Sequence, residues 1–113
     1  MRSGWLLRDG DVVCALQMTD SVAERWRGRS GVSDPKGVVH LCGARWVHTV
    51  GASVPVDVAY LDADLIVLHL ARLAPWRVCL PRPGVRSVVK AEAGVWERLS
   101  VHVGDQFEIR EVQ

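Results

Sequence analysis

A chain of 113 residues with 49% hydrophobic and 24% charged residues has the balance of one globular domain with a sizeable core. Its formal net charge of +1 gives no overall attraction to nucleic acid, whose binding needs several phosphate contacts. We therefore predict a single domain spanning residues 1–113 and no nucleic-acid partner.

The opening residues, MRSGWLLRDGDVV, lack the composition of a secretory signal, because Arg8 and Asp9 interrupt the apolar run. No run of apolar residues is long enough to predict a membrane span. Three widely spaced cysteines, Cys14, Cys42 and Cys79, suit buried reduced thiols better than a disulfide framework. These features predict a soluble, cytoplasmic protein without a membrane partner.

Short apolar runs broken by Gly, Pro and Asp predict nine β-strands along the chain. In chain order they are Trp5 to Arg8, Val12 to Met18, Val38 to Cys42, Arg45 to Thr49, Val56 to Leu61, Leu65 to Ala71, Arg77 to Leu80, Ser87 to Ala91 and Gln106 to Val112.

The alternation in VDVAYL predicts a half-buried strand with Val56, Val58 and Tyr60 on one face. The next run, LIVLHLA, is apolar on both faces, which predicts a central strand covered on each side. The Asp62-Ala63-Asp64 link between the two runs predicts a hairpin. The run QFEIR alternates like VDVAYL and predicts another half-buried strand.

Two short helices are predicted between the strands. In SVAERWRG, Ser21 and Glu24 form a capping box, with Asp20 as the competing cap. In AGVWERLS, Val95 and Trp96 are predicted to face the core. Mostly strands with one or two short helices predict a compact β-sandwich or small barrel.

The order of four segments, LLRDGDVVCALQMTDSVAERWRG, HTVGASVPVDVAYLD, LAPWRVCLPRPG and AGVWERLSVHVGDQFEI, resembles the DUF192 family, in an uncharacterised, actinobacterial-type member. The resemblance covers nearly the whole chain and implies a jelly-roll-like fold, with no established activity. It also implies an association with pilus or secretion machinery, through the gene context of some relatives. One departure is Lys90, at a position where relatives often carry a glutamate.

The stretch that holds His48, Thr49 and Asp57 is the first candidate site. Gly51 and Pro55 predict that the backbone leaves the sheet here and makes a turn. A hydroxyl and a carboxylate are suited to bond the exposed N–H groups of such a turn, so the first interpretation is that these residues brace a loop.

The alternative interpretation is catalytic: Asp57 orients His48 as a general base in a small hydrolase or metal-dependent enzyme. Ser53 completes a triad on paper but lacks the G-x-S-x-G elbow. His40 and Cys42 would share a strand face as metal ligands, but the chain has neither C-x-x-C nor H-x-x-x-H spacing. We therefore predict no catalytic residue, metal or cofactor.

A second candidate is electrostatic, because no acidic residue occurs from Leu65 to Ala91. The basic residues of this stretch are Arg72, Arg77, Arg82, Arg86 and Lys90. Trp76 and the nearby Trp46 add aromatic surface beside arginines, a known binding device. The alternative is a solvated loop whose arginines pair with Asp62, Asp64 or Glu92.

Together these patterns favour a non-catalytic binding or accessory module. Its predicted cleft lies between the His48–Asp57 loop and the Trp76–Arg86 loop, and its predicted ligand is anionic or sugar-like, or is an acidic protein surface. The candidate binding residues are Trp46, His48, Thr49, Asp57, Trp76, Arg77, Arg82 and Arg86.

Overall fold

Nine β-strands and one short helix form the described part of the chain, residues 2–19, 37–49, 52–79 and 82–112 of a computed structural model. They are β1 (Arg2–Arg8), β2 (Asp11–Thr19), β3 (Val38–Cys42), β4 (Val47–His48), β5 (Val56–Leu61), β6 (Val67–Leu73), β7 (Val78–Cys79), β8 (Ser87–Glu92), α1 (Val95–Arg98) and β9 (Phe107–Glu111). Each predicted strand is present with small shifts at its ends, and the mainly β class is confirmed. The predicted helix SVAERWRG lies outside the described residues.

Seven strands form one mixed sheet in the order β6-β5-β8-β3-β2-β1-β9, and β4 pairs with β7 in a small second sheet. Neighbouring strands run antiparallel, except that β2 and β3 are parallel. At one end the outer strands meet, since the Val67 N–H donates to the Asp105 carbonyl at 2.8 Å and the Phe107 N–H to the Leu65 carbonyl at 2.9 Å. The sheet is therefore barrel-like and partly closed.

Two hydrophobic clusters lie on opposite faces of this sheet. The first fills the barrel-like interior and includes Leu6, Leu61, Val89, Trp96 and Phe107. The second lies between the outer face of β3, β5, β8 and the small β4–β7 sheet, and includes Val39, Leu41, Ala44, Val47, Val56, Val58, Tyr60, Val85 and Val88. Residues of β5 and β8 alternate between the two clusters, so both strands are covered on each side.

This arrangement corrects the prediction for two neighbouring strands. The run VDVAYL was expected to be half buried, but all six residues of β5 are buried because the small sheet covers its second face. The run LIVLHLA was expected to be central, but β6 stands at the edge of the sheet and Leu68 is exposed. The predicted hairpin between them is confirmed, with Asp62 Oδ1 accepting from the Asp64 and Ile66 N–H groups at 2.8 and 3.0 Å.

The second predicted helix is a single turn, α1, which closes one end of the interior. Val95 and Trp96 are buried in the first cluster as predicted, and Glu97 and Arg98 are exposed. Gly94 precedes the turn at φ 94°, a conformation that L residues rarely adopt. QFEIR is also confirmed as half buried, since Phe107 is covered and Glu108 exposed.

Candidate functional site

Thr49 joins the two loops that were predicted to border a cleft. Its hydroxyl donates to the Ala74 carbonyl at 2.6 Å and accepts from the Arg77 N–H at 2.8 Å. Its own N–H donates to the Arg77 carbonyl at 2.8 Å, and its carbonyl accepts from the Trp76 N–H at 2.9 Å. The fully buried Thr49 therefore acts as the brace that its polar side chain predicted. The partners of its hydroxyl lie 25 to 28 residues away, and among the described residues only its carbonyl bonds within its own turn, accepting from the Ala52 N–H at 3.0 Å.

The braced loops carry two exposed tryptophans. Trp46 is 39% exposed and its ring centroid lies 5.8 Å from that of His48, while Trp76 is 65% exposed. Trp76 also has φ 62°, a left-handed conformation that costs a bulky residue of order 1–2 kcal/mol and persists where surrounding contacts impose it. The bond from its N–H to Thr49 is such a contact. We call Trp46, His48, Trp76, Arg77 and Arg82 the rim.

The arginines of the basic stretch divide into two groups. Arg72 forms an ion pair with Asp57 at 2.9 Å and a longer one with Glu97 at 3.6 Å, so it serves the sheet edge. The side chains of Arg77, Arg82 and Arg86 are exposed, and among the described residues none of them forms an ion pair with a carboxylate. The expected alternative, pairing with Asp62, Asp64 or Glu92, is absent from the described part of the chain.

Asp57 and His48 occupy different faces of the seven-stranded sheet. Asp57 alternates with Val56 and Val58, which face the small sheet, so its carboxylate points to the opposite side. There it accepts hydrogen bonds from Arg72 Nε and from the Gly94 N–H, both at 2.9 Å. Asp57 thus holds the turn before α1 against the edge strand, and it does not orient the His48 imidazole.

A buried amine lies beneath the small sheet. Lys90 pairs in register with Val58 on one side and Val39 on the other, so its side chain enters the second cluster. Lys90 is 0% exposed, and its Nζ has no hydrogen-bond partner among the described residues. Burial lowers its pKa to about 8. An unpaired ammonium in such surroundings is costly, because desolvation disfavours the charged form.

Tyr60 is the polar neighbour of Lys90 on the same face. It lies on β5, two residues beyond Val58, and is also 0% exposed, and its hydroxyl has no oxygen or nitrogen partner among the described residues. Burial, followed by the adjacent Cys79 thiol, raises the pKa of Tyr60, which therefore stays neutral and able to donate. Its ring stacks on that of His69 at 5.7 Å.

The buried pair is electrostatically connected to the rim. Burial and then the Lys90 ammonium lower the pKa of His48, and burial and then Arg82 lower the pKa of His69. Arg82 acts on Tyr60 in the opposite sense to burial, because a cation favours the phenolate. Arg82 therefore lies near enough to act on Tyr60 and His69, and Lys90 lies near enough to act on His48.

The residues considered as metal ligands form only a pair. His40 and Cys42 do share a strand face, with Cys42 Sγ 3.2 Å from His40 Nδ1, and burial lowers the pKa of His40 to about 4. The described ranges contain no group of three or more His, Cys, Asp or Glu side chains that could hold a metal ion. Cys14, Cys42 and Cys79, all within the described residues, are half buried and form no disulfide.

Lys90 and Tyr60 are the residues that sequence reasoning missed. The sequence places Lys90 in the basic stretch and Tyr60 on one face of a half-buried strand, so it predicts neither as a site residue. The available signal was the position of Lys90 inside SVVKAE, where a lysine interrupts an apolar strand that is otherwise covered on both faces. Lysine is almost never fully buried unless it is paired, so its burial marks this place in the fold.

No helix in the described part of the chain is long and apolar enough to cross a membrane. The fold and the buried pair together define a small, partly closed β-barrel domain with a polar cluster between its two sheets.

Comparison of the sequence with models of known protein families identifies the family of this chain. The model of the DUF192 family, described as an uncharacterised ACR, matches residues 6–109, so the chain belongs to the DUF192 family. The predicted resemblance is thereby confirmed at the level of the family.

Relatives are found among the UPF0127 proteins of archaea. One from Pyrococcus furiosus is 36% identical over 62 residues, covering 55% of this chain and 53% of the relative. One from Pyrococcus abyssi is 34% identical over 53 residues, covering 47% and 45%. The matched region spans about half the length of these curated relatives. Their archaeal origin gives no support to the actinobacterial-type assignment, which stays a prediction.

Two solved structures share the fold. A candidate transcription regulator from Sinorhizobium meliloti superposes with a TM-score of 0.75 at 17% identity, covering 96% of this chain and 92% of that one. A protein of unknown function from Novosphingobium aromaticivorans gives 0.67 at 18% identity, covering 96% and 84%. At these identities the similarity establishes the fold alone.

Proposed function

We propose that this protein is a non-catalytic binding module whose rim receives an anionic small ligand. The observation that carries the proposal is the Thr49 brace, which holds Trp46, His48, Trp76 and Arg77 on two adjoining loops. Arginine presents a planar fork of donors that suits carboxylate and phosphate groups, and tryptophan supplies a flat apolar surface beside it.

The electrostatic situation of the rim favours an anion over a neutral sugar. Arg77 and Arg82 have no carboxylate partner among the described residues, so their donors are open to a ligand. The enzyme alternative that used His48 and Asp57 loses its basis, since the two side chains lie on opposite faces of the sheet. Cytoplasmic location and association with pilus or secretion machinery stay predictions.

The proposal is tested by isothermal titration with phosphate, citrate, glucose and an acidic peptide, each at a fixed ionic strength. We expect an anion to bind, and we expect Trp76→Ala and Arg77→Ala each to weaken it by roughly tenfold, as loss of a charge-assisted contact does. Matched controls are Trp5→Ala and Arg110→Ala, an exposed tryptophan and arginine on β1 and β9.

The outcomes separate the alternatives. Equal weakening by the control variants would show a non-specific charge effect and refute the rim. Binding of glucose alone would replace the anion with a sugar, and binding of the peptide alone would make the site a protein-docking surface.

A further inference from the structure

The rim does not explain two polar groups under the small sheet, Lys90 Nζ and Tyr60 Oη, which have no oxygen or nitrogen partner among the described residues. Other buried polar atoms without a partner, Thr19 Oγ1, His40 Nε2, Ser87 Oγ and Trp96 Nε1, are spread over the described part of the chain. Only Lys90 Nζ and Tyr60 Oη, among the described residues, combine an amine and a hydroxyl on one face of adjacent strands.

We propose that the Lys90 ammonium and the Tyr60 hydroxyl bind the carboxylate of a small organic acid, whose apolar body lies in the second cluster. This inference deepens the proposed function and rests on it, since it names the anion that the rim would admit. The carboxylate accepts one hydrogen bond from each donor, and its charge neutralises the ammonium.

The register of the strands supports shared binding. Lys90 lies opposite Val58, and Tyr60 lies two residues further along β5, so their side chains are diagonal neighbours on one face. The thiol of Cys79 lies beside the Tyr60 hydroxyl, and no carboxylate or carbonyl oxygen accepts from Tyr60 Oη or Lys90 Nζ among the described residues. Their neighbours on the facing elements are apolar, including Val39, Val47 and Val85.

The surroundings also discriminate between classes of anion. Phosphate is held by several donors at once, commonly backbone N–H groups or arginines, whereas this site offers one ammonium and one hydroxyl within valine side chains. A monocarboxylate needs only these two donors. A short branched or aromatic acid therefore fits the pair better than a multiply charged ligand.

Charged and titratable groups lie on each of the elements packed around Lys90. They are His48 on β4, Tyr60 on β5, His69 on β6, Cys79 on β7, Arg82 in the loop before β8, and Glu92 on β8 itself. Only Glu92 is acidic, and it is exposed at the far end of its strand. A bound carboxylate would be the nearest anion to Lys90, and it would favour the protonated amine.

The chain offers a direct spectroscopic test, because it contains only two lysines, Lys36 and Lys90. In a Lys36→Arg variant labelled with ¹³Cε-lysine, Lys90 gives the sole lysine signal, and its chemical shift reports its protonation. Titrating this protein with isovalerate and with benzoate, and separately with isovaleramide and inorganic phosphate, isolates the effect of the carboxylate. We expect either acid, but neither the amide nor phosphate, to raise the midpoint of the Lys90 titration by at least one pH unit.

Two variants locate the same effect by affinity. We expect Lys90→Met to weaken acid binding at least tenfold and Tyr60→Phe by about threefold, since the second change removes one hydroxyl and keeps the ring. Affinity should fall about tenfold per pH unit above the free-state pKa of Lys90, because binding then requires uptake of a proton. Circular dichroism checks that both variants are folded. If Lys90→Met does not fold, the affinity of Tyr60→Phe still tests the site.

The possible failures are distinguishable. Equal binding of amide and acid, Lys90-dependent binding of phosphate, or an unchanged Lys90 midpoint at saturating acid would each overturn this inference. If acids bind through Lys90 but Trp76→Ala and Arg77→Ala have no effect, the buried site stands and the rim is refuted. If those rim variants weaken binding of another anion while Lys90→Met does not, the rim stands and the carboxylate site is refuted.

Discussion

Replacing Lys90 with methionine should stabilise the ligand-free protein. Lysine and methionine have unbranched side chains of similar length, so the change removes the charge and keeps most of the packing. The pKa of Lys90 is lowered from 10.5 to about 8 by burial. At about 1.36 kcal/mol for each pH unit, the folded state bears a penalty of about 3 kcal/mol for the charged amine.

The sign of the pH dependence follows from which state holds the proton. Between pH 8 and 10.5 the unfolded chain binds a proton at Lys90 that the folded chain has released, so the wild-type protein gains stability as pH rises through this window. The advantage of Lys90→Met is therefore about 3 kcal/mol below pH 8 and disappears above pH 10.5. At neutral pH this corresponds to an increase in Tm of roughly 12 °C for a chain of this size.

Urea unfolding followed by tryptophan fluorescence measures this difference at pH 7, 8, 9 and 10 in both proteins. The other titrating groups are common to both chains. His48, whose pKa burial and then the Lys90 ammonium lower from 6.5, is neutral in both proteins from pH 8 upwards and adds nothing to the difference there. Lys36→Met serves as a control for the loss of a lysine charge from the other position. A stability difference that stays constant with pH, or a variant less stable than wild type at pH 7, would refute the description of Lys90 as an uncompensated buried amine.

Three further substitutions test the braces and the sheet. Thr49→Val should lower the free energy of unfolding by about 1–3 kcal/mol through the loss of its bonded hydroxyl. Thr19→Val, at a buried hydroxyl that has no partner among the described residues, should be neutral or stabilising, and urea unfolding compares the two variants. Asp57→Asn should cost about 1–2 kcal/mol in the same assay, because it removes the charge from two hydrogen bonds, and an unchanged stability would show that neither bond matters. Gly4→Ala should lower the Tm by more than any of these, because its Cβ would lie 2.5 Å from the Arg110 carbonyl oxygen; a Tm within 2 °C of wild type, about 0.5 kcal/mol, would contradict this close approach.

The positions of the strands could be predicted because each is a short apolar run that ends at Gly, Pro or Asp. VDVAYL and LIVLHLA were both located well, and the hairpin between them followed from Asp62 and Asp64. Whether each strand lies inside the sheet or at its edge could not be predicted, because this depends on which strands from distant parts of the chain pair with it. β5 is an interior strand because β8, some 30 residues later in the chain, pairs with the edge that β6 leaves open.

Among the candidate site residues, the role of Thr49 could be predicted from the sequence, whereas the relation of His48 to Asp57 could not. Thr49 was predicted as a brace from its chemistry, and this holds because a buried hydroxyl must find backbone partners wherever the fold supplies them. The association of His48 with Asp57 was inferred from nearness in sequence, but alternation along β5 sends the carboxylate to the other face. Nearness along the chain does not place two side chains together when a strand lies between them.

Lys90 connects these observations, because a buried ammonium that weakens the fold is also a group suited to bind an anion. A lysine at this position would carry no desolvation penalty if its ammonium reached solvent, but the small β4–β7 sheet covers it. The same β4 strand carries His48, which lies beside Trp46. The hydrogen bonds of Thr49 therefore hold the rim together and also hold the loops next to the small sheet that covers the buried amine. A carboxylate bound to Lys90 would offset the desolvation penalty of the ammonium, so the acid should stabilise the wild-type protein against unfolding and should not stabilise Lys90→Met.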